Sequence, residues 1–291
     1  MKQLLHLLIR FGLILSGFLF IFNLPLIVGI GENSIEIHFK LFWDVVKSDL
    51  QFLLQIKDAM YLGYIIELDI AGSYQYTMTI LIVSFVSIIL IAMVVAIFIM
   101  LSPEKLKDRL KSGINFFEAV PDLLVIFLFQ FFVITLYRAT GLKFLQLYGV
   151  FGEKPYFVPI VTVSFLPLFL LLQFLLQVIT EEQNQLYVHY AKAKGIGRLR
   201  ILLVHMIRNV FPLIVLQLRT VIWVLLSNIY LVEFMFNING FTRQFEKIIY
   251  RGGDFASLIA CLLMLSLPLM VMEAAGWLIS KRIKGKEVVS L

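Results

Sequence analysis

The sequence predicts an all-α membrane protein of six transmembrane helices, and three observations predict it. Apolar residues make up 60% of the 291-residue chain, against about 45–50% in an ordinary soluble domain. Charged residues make up only 15%, where a water-facing surface carries about 25%. The apolar residues also gather into long runs without the period-2 alternation of membrane-barrel strands. A soluble fold of this length lacks the polar side chains to cover itself, and a disordered chain has far less apolar content.

A bilayer core of about 30 Å takes about 20 helical residues at 1.5 Å each. Six runs reach that length, over about 11–30, 77–101, 116–139, 157–179, 213–236 and 255–280. In lipid the backbone must close its own hydrogen bonds, so each run is expected to be a helix. The first run ends Ile30-Gly31-Glu32-Asn33, without a small-x-small cleavage site, and is expected to stay as an anchor. Together they form a single transmembrane domain over 1–291, multi-pass and surrounded by membrane lipid.

Orientation follows from the basic residues. With both termini cytoplasmic, 15 Lys and Arg fall in inner segments and 8 in outer ones, as the positive-inside bias requires. The net charge of +6 is explained by that distribution and points to no nucleic acid. The outer segment 31–76 is acidic and carries an apolar stripe of Phe39, Phe42, Trp43, Val46, Leu50, Leu53 and Leu54 at helical spacing, expected to lie on the membrane surface or on the bundle. Residues 237–254 form a polar outer loop containing Gly240, Gly252 and Gly253.

Several chemistries are excluded. There is no G-x-x-x-x-G-K-[ST] phosphate loop, so the chain is expected to bind no ATP or other cofactor itself and not to be an enzyme. The four histidines (His6, His38, His189, His205) and the single Cys261 show no metal-ligand spacing. No serine sits in a G-x-S-x-G turn. Glu118 and Asp122 are four apart, but Pro121 between them marks the start of a helix rather than a catalytic pair.

The inner loop 180–212 is the informative stretch. Its order is a short helix with Ala191 and Ala193, a break at Gly195 and Gly197, a second amphipathic helix, and Pro212, expected in the opening turn of the next span. Two short helices around a glycine make a rigid knob, with small side chains that allow a partner surface to come close.

Ala191-Lys192-Ala193-Lys194-Gly195 followed by His205-x-x-Arg208-Asn209 resembles the coupling loop of ABC importer permeases, most narrowly the dipeptide/oligopeptide/nickel type. Downstream, Glu233-Phe234-Met235-Phe236 and Asn239-Gly240-Phe241-Thr242-Arg243 resemble that family's E-x-x-F and P-G-L-G-R sequence, Asp254 its acid before the last span, and Lys281-Arg282 its basic end. There are departures. Gly29-Ile30-Gly31-Glu32-Asn33 replaces the usual P-G-D-P, Asn239 replaces a proline, and the second and third spans lack the small-residue pattern. A divergent member is implied.

The resemblance implies a type I importer permease fold in the plasma (inner) membrane of a bacterium. It implies a second, related permease as heterodimer partner, two ATP-hydrolysing subunits holding ATP and Mg, and an external or periplasmic substrate-binding protein. The cargo it implies is a peptide, nickel or another metal chelate, or a similar small solute. Tyr190, Ala191, Lys192, Ala193, Lys194 and Gly195 would form the coupling helix and its stop, with Arg198 and Arg200 flanking and Arg208 and Asn209 on the next helix. An Ala191→Glu change is then expected to uncouple transport. The other reading is a permease-like sensor or regulatory subunit that transports little. An ion-driven carrier would need paired intramembrane acids and an inverted repeat, and neither is present.

Polar residues inside spans are costly in lipid. Arg219 and Glu273 lie at matching depths in spans five and six, so either they pair or Arg219 snorkels to the headgroups. Gln130, Gln173, Gln177, Gln217 and Asn228 either line a polar pathway or bond helix to helix. Glu233, at the outer end of span five, is either a gate or a structural cap. The many phenylalanines are expected to be lipid-facing bulk.

Overall fold

A computed structural model of the chain describes residues 16–17, 19–30, 35–54, 69–141, 154–250, 258–272 and 274. The fold divides into two compact units, Met1–Leu68 with Phe245–Leu265 and Asp69–Gln244 with Ser266–Leu291.

In the first unit the run expected as one helix over 11–30 is helical only as far as Asn23. A 3-10 turn, Leu24–Ile27, follows, with Pro25 in its first positions where the missing N–H costs nothing. Then β1 (Val28–Ile30) pairs antiparallel with β2 (Ile35–Ile37), Val28 opposite Ile37. This short hairpin is a local departure in a mostly helical chain: a proline stops the helix, and Val28, Gly29 and Ile30 continue as strand. The amphipathic helix expected in 31–76 is α1, Phe39–Leu54. Asn23 holds it, donating from its amide to Leu19 O at 3.1 Å and to Asp49 Oδ2 at 2.9 Å. Of the stripe, Phe42 is buried, edge-on to Phe20 at 5.2 Å, while Phe39, Trp43 and Leu50 stay exposed. The side chains of Leu53 and Leu54 lie outside the described residues.

The second unit holds four helices long and apolar enough to cross a membrane. They are α2 (Ile70–Leu101), α4 (Asp122–Thr140), α5 (Phe157–Glu182) and α7 (Arg198–Met235). Between them lie α3 (Glu104–Glu118) and α6 (Leu186–Ala193). Along the chain follow a ten-residue helix, α8 (Phe241–Tyr250), and an apolar helix too short to count with those four, α9 (Leu258–Met272), each shared between the two units. Two expected boundaries move. The second span starts at Ile70 because Asp69, at φ 47°, caps it through the Gly72 N–H at 3.3 Å. The third starts at Asp122, since Pro121 has no N–H to continue α3 and separates that polar helix from the span. The sixth expected span, 255–280, is described as helix over Leu258–Met272.

α5 is the centre of this unit, with α2, α3, α4 and α7 all packed on it. Ser73, Thr77, Ser84, Ala92 and Ala96 of α2 are all buried. Where α2 meets α5, the small Ser84 side chain lets the backbones approach, its Oγ donating to Ile160 O at 3.4 Å. Not every phenylalanine faces lipid. Phe117, Phe129, Phe165 and Phe169 form a ring cluster with centroids 4.9–5.8 Å apart that binds α3 and α4 to α5.

Candidate functional site

The first candidate is the loop between α5 and α7. Helix α6 ends as its sequence dictates. Gly195 takes φ +75°, which a Cβ would strain, and its N–H donates to Lys192 O at 2.9 Å while the Ile196 N–H donates to Ala191 O at 3.2 Å. Both orphaned carbonyls are closed, so the turn is rigid. Gly195→Ala is expected to cost about 1–2 kcal/mol of local stability, the penalty of a left-handed L-residue. Faster proteolysis or amide exchange at 194–197 would register it.

The elbow is braced at its base. The Glu182 carboxylate, at the end of α5, accepts from both the Tyr187 hydroxyl and the Asn209 side-chain amide. One acid thus ties the span before the loop, the first loop helix and the root of the following span. Burial first, and then the Glu182 carboxylate, push the Tyr187 phenol above its ordinary range. Because the folded value is raised, its contribution is complete below the unfolded value of about 10 and fades as pH rises through the folded one. Glu182→Ala is expected to lose about 1–3 kcal/mol at this junction and to loosen the elbow without unfolding the spans. Limited proteolysis of the loop, set against global melting, separates the two.

The brace redistributes the residues that the sequence assigned to docking. Ala191 is 8% exposed, facing the second half of the elbow together with Val188. Its small side chain lets the elbow close on itself. An Ala191→Glu change would therefore disrupt the elbow rather than only its surface. Asn209 belongs to the brace. Tyr190, Lys192, Ala193, Lys194, Arg198, Arg200 and Arg208 are exposed. Beside them stands Leu186, which the sequence reading passed over: Leu186 is 76% and Tyr190 69% exposed, one helical turn apart.

Pro212 does not open the next helix. α7 runs unbroken from Arg198, through wide π-helical turns at Ile201–Met206, and carries Pro212 inside. The inner loop is therefore shorter than 180–212, and its second helix is the root of a span. A cavity of about 210 Å³ lies where the elbow meets the end of α2, lined by Ser102, Glu104, Lys192 and Arg198 among others.

The second candidate is the far end of α7. Asn237 takes φ 50° and ends the helix, its N–H donating to Phe234 O at 3.2 Å and that of Ile238 to Glu233 O at 2.9 Å. Glu233 is 1% exposed. Its carboxylate accepts from the hydroxyls of Thr77 and Thr242, from the Thr242 N–H at 3.0 Å and from the Arg243 N–H at 3.4 Å. The Phe241 N–H donates to Thr77 Oγ1 at 2.8 Å, and the Gln244 N–H to Gly240 O at 3.1 Å. Every free N–H in the first turn of α8 is thus satisfied, with a carboxylate at the positive end of the helix dipole. Glu233 is a cap. Gly240 is glycine because a Cβ there would overlap that carboxylate. Arg243 lies over the Phe234 ring at 5.0 Å.

Gln173 and Gln177 do share a face. Both line a groove of about 370 Å³ with Lys111, Asn115, Thr180 and Asn184. Gln177 donates to Glu181 at 3.1 Å, and Lys111 to Thr180 Oγ1 at 3.2 Å. Burial, reinforced by Lys107, pulls the Lys111 ammonium below its ordinary range. Gln130 bonds helix to helix, donating to Met235 O at 3.3 Å. Gln217 is half-buried, and Asn228 is 2% exposed with its Oδ1 unpartnered among the described residues. Arg219 is exposed, but Glu273 lies outside the described residues, so their pairing is not on view.

A family model described as binding-protein-dependent transport system inner membrane component matches residues 88–285. The match takes in the second part of α2 from Ile88 onward, the whole elbow, and Glu233 with Thr242 and Arg243. No curated protein is similar enough to the chain to add to it.

Proposed function

As this chain belongs to the family of binding-protein-dependent transport system inner membrane components, we propose that it is the permease subunit of an ATP-driven importer and that its elbow couples it to the motor. The chain itself forms part of the pathway, in a bacterial inner or plasma membrane, with six spans and both termini in the cytoplasm. A second, related permease completes the pathway, two ATPase subunits supply ATP and Mg chemistry, and an external binding protein delivers the solute. Peptides and nickel or metal chelates are the cargo classes in view.

The observation that carries this reading is the pairing of a rigid, braced elbow with two exposed apolar side chains on its first helix, Leu186 and Tyr190, on a loop that also exposes Lys192, Lys194, Arg198 and Arg200. Large apolar side chains on a stiff knob cost solvation when bare and act as anchors when seated in a groove. A knob joined without slack to α5 and α7 transmits a push as rigid-body movement of those spans. A photoreactive amino acid placed at Leu186 in membranes holding the neighbouring gene products tests it. Crosslinking to the ATP-hydrolysing subunit is expected, and crosslinking to lipid alone would overturn the coupling role.

A further inference from the structure

The groove between α3 and α5 changes character along its length. Lys111 of α3 reaches Thr180 of α5, and further along α3 Phe117 meets Phe169, so the two helices run antiparallel. On α5, Phe165, Phe169, Gln173, Gln177 and Glu181 recur every fourth residue and follow one face. The first two are apolar and the last three polar. α3 repeats that order from its own side, with Phe117 against the rings and Asn115 and Lys111 beside the amides.

The polar half is the cavity of about 370 Å³. It holds one ammonium, from Lys111, and one carboxylate, from Glu181. Lys111 donates to Thr180 Oγ1 and Glu181 accepts from Gln177, and neither charge has an ion-pair partner among the described residues. Burial, reinforced by Lys107, disfavours the Lys111 charge, a cost that an anion at that nitrogen offsets. The apolar half leads away toward the middle of α5, and Phe116 and Phe117 beside it stay 68% and 41% exposed.

The depth of the polar half suits a headgroup. α5 has 26 residues, about 39 Å at 1.5 Å each, so about 9 Å of it lies beyond a hydrocarbon core of about 30 Å. Its first turns, from Phe157 to Val161, are apolar, so the excess falls at the other end, over Gln177–Glu182.

We infer that this groove binds one phospholipid of the leaflet on the elbow side, with a headgroup that joins a phosphate to a primary ammonium, as in phosphatidylethanolamine. The Lys111 ammonium takes the phosphate. The Glu181 carboxylate accepts from the lipid amine, and the amides of Asn115 and Gln173 donate to phosphate and ester oxygens. One acyl chain lies along Phe117 and Phe169. A headgroup with a phosphate and no amine would set its negative charge near Glu181 with nothing to offset it.

The test is native mass spectrometry of the full chain in detergent, titrated with dioleoyl phosphatidylethanolamine or dioleoyl phosphatidylglycerol. The native chain is expected to retain one phosphatidylethanolamine about tenfold more tightly than phosphatidylglycerol. Lys111→Gln is expected to weaken that binding about tenfold or more. Lys111→Arg, which keeps a cation for the phosphate, should bind close to the native level. Lys105→Gln makes the same charge change on α3 outside the groove and should leave binding unchanged. Glu181→Gln should abolish the preference between the two lipids. Equal affinity of the native chain for both lipids, or an effect of Lys111→Gln no larger than that of Lys105→Gln, would overturn the site. A preference that survives Glu181→Gln would remove the carboxylate from it. Excess glycerophosphoethanolamine, the headgroup without its chains, should fail to displace the lipid, because it cannot use the aromatic half. Displacement would mean a site for a soluble zwitterion and would overturn the lipid assignment. Nucleotide and partner subunits are absent from the measurement, so its outcome is separate from coupling through the elbow.

Discussion

Tyr190→Asp is expected to abolish ATP-dependent transport while the spans stay folded and inserted. The residue is 69% exposed, so loss of its ring takes little packing from the chain itself. What it removes is an anchor on the first helix of the elbow, and aspartate adds a charge that a groove able to seat a tyrosine would have to desolvate. Truncation of such anchors costs about 2–4 kcal/mol, or roughly 30-fold or more in affinity. Co-purification of the ATPase subunits should fall accordingly, with transport lost and the melting temperature of the chain unchanged. Tyr190→Phe keeps the ring and should retain most of the coupling. A Tyr190→Asp chain that copurifies and transports normally would remove the elbow from the mechanism.

At the opposite end of α7, Glu233→Ala is expected to be the most destabilising single change in the described residues. It leaves two backbone N–H groups and two hydroxyls without their acceptor in a buried place. Each such group costs about 1–3 kcal/mol before relaxation. The sum is reduced by rearrangement and by water, so about 3–5 kcal/mol is the expected loss. Gly240→Ala should also be costly, because its new methyl group meets the same carboxylate. The two together are expected to cost less than the sum of the singles, since removing the carboxylate empties the space the methyl needs. Unfolding of the detergent-solubilised chain, followed for all four forms of the cycle, measures this. Strict additivity would show that the clash is relieved elsewhere and that Gly240 is not held by Glu233.

The elbow was legible because its determinants are local. Gly195 at a helix end, the small residues before it and the basic residues around it act on their own few neighbours, and the turn forms where they place it. Which side of α6 faces inward was not legible. Ala191 and Tyr190 adjoin in sequence, yet one closes the elbow and the other stays exposed, a choice set by how α6 seats on Ile201–Met206. The brace was missed for the same reason: Glu182 and Asn209 are 27 residues apart, and only Tyr187, five from the acid, gave a local hint.

The span boundaries failed where hydropathy is a poor ruler. Composition marks what can lie in lipid, but caps and prolines mark where a helix starts and stops. Asp69 lengthens one span and Pro25 shortens another, while Pro212 is absorbed inside a helix that had already begun. Glu233 stood open between gate and cap on sequence alone, because Thr77, the partner that decides it, lies 156 residues away.

Composition and charge placement alone determined that this chain is a bundle of apolar helices for a membrane, since the transfer of a side chain between water and lipid depends on the side chain and hardly on its neighbours. Only the tertiary structure decided which acid caps and which alanine is interior. Those are properties of pairs of groups brought together from distant parts of the chain, and a pair has no energy until the fold sets the distance between its members.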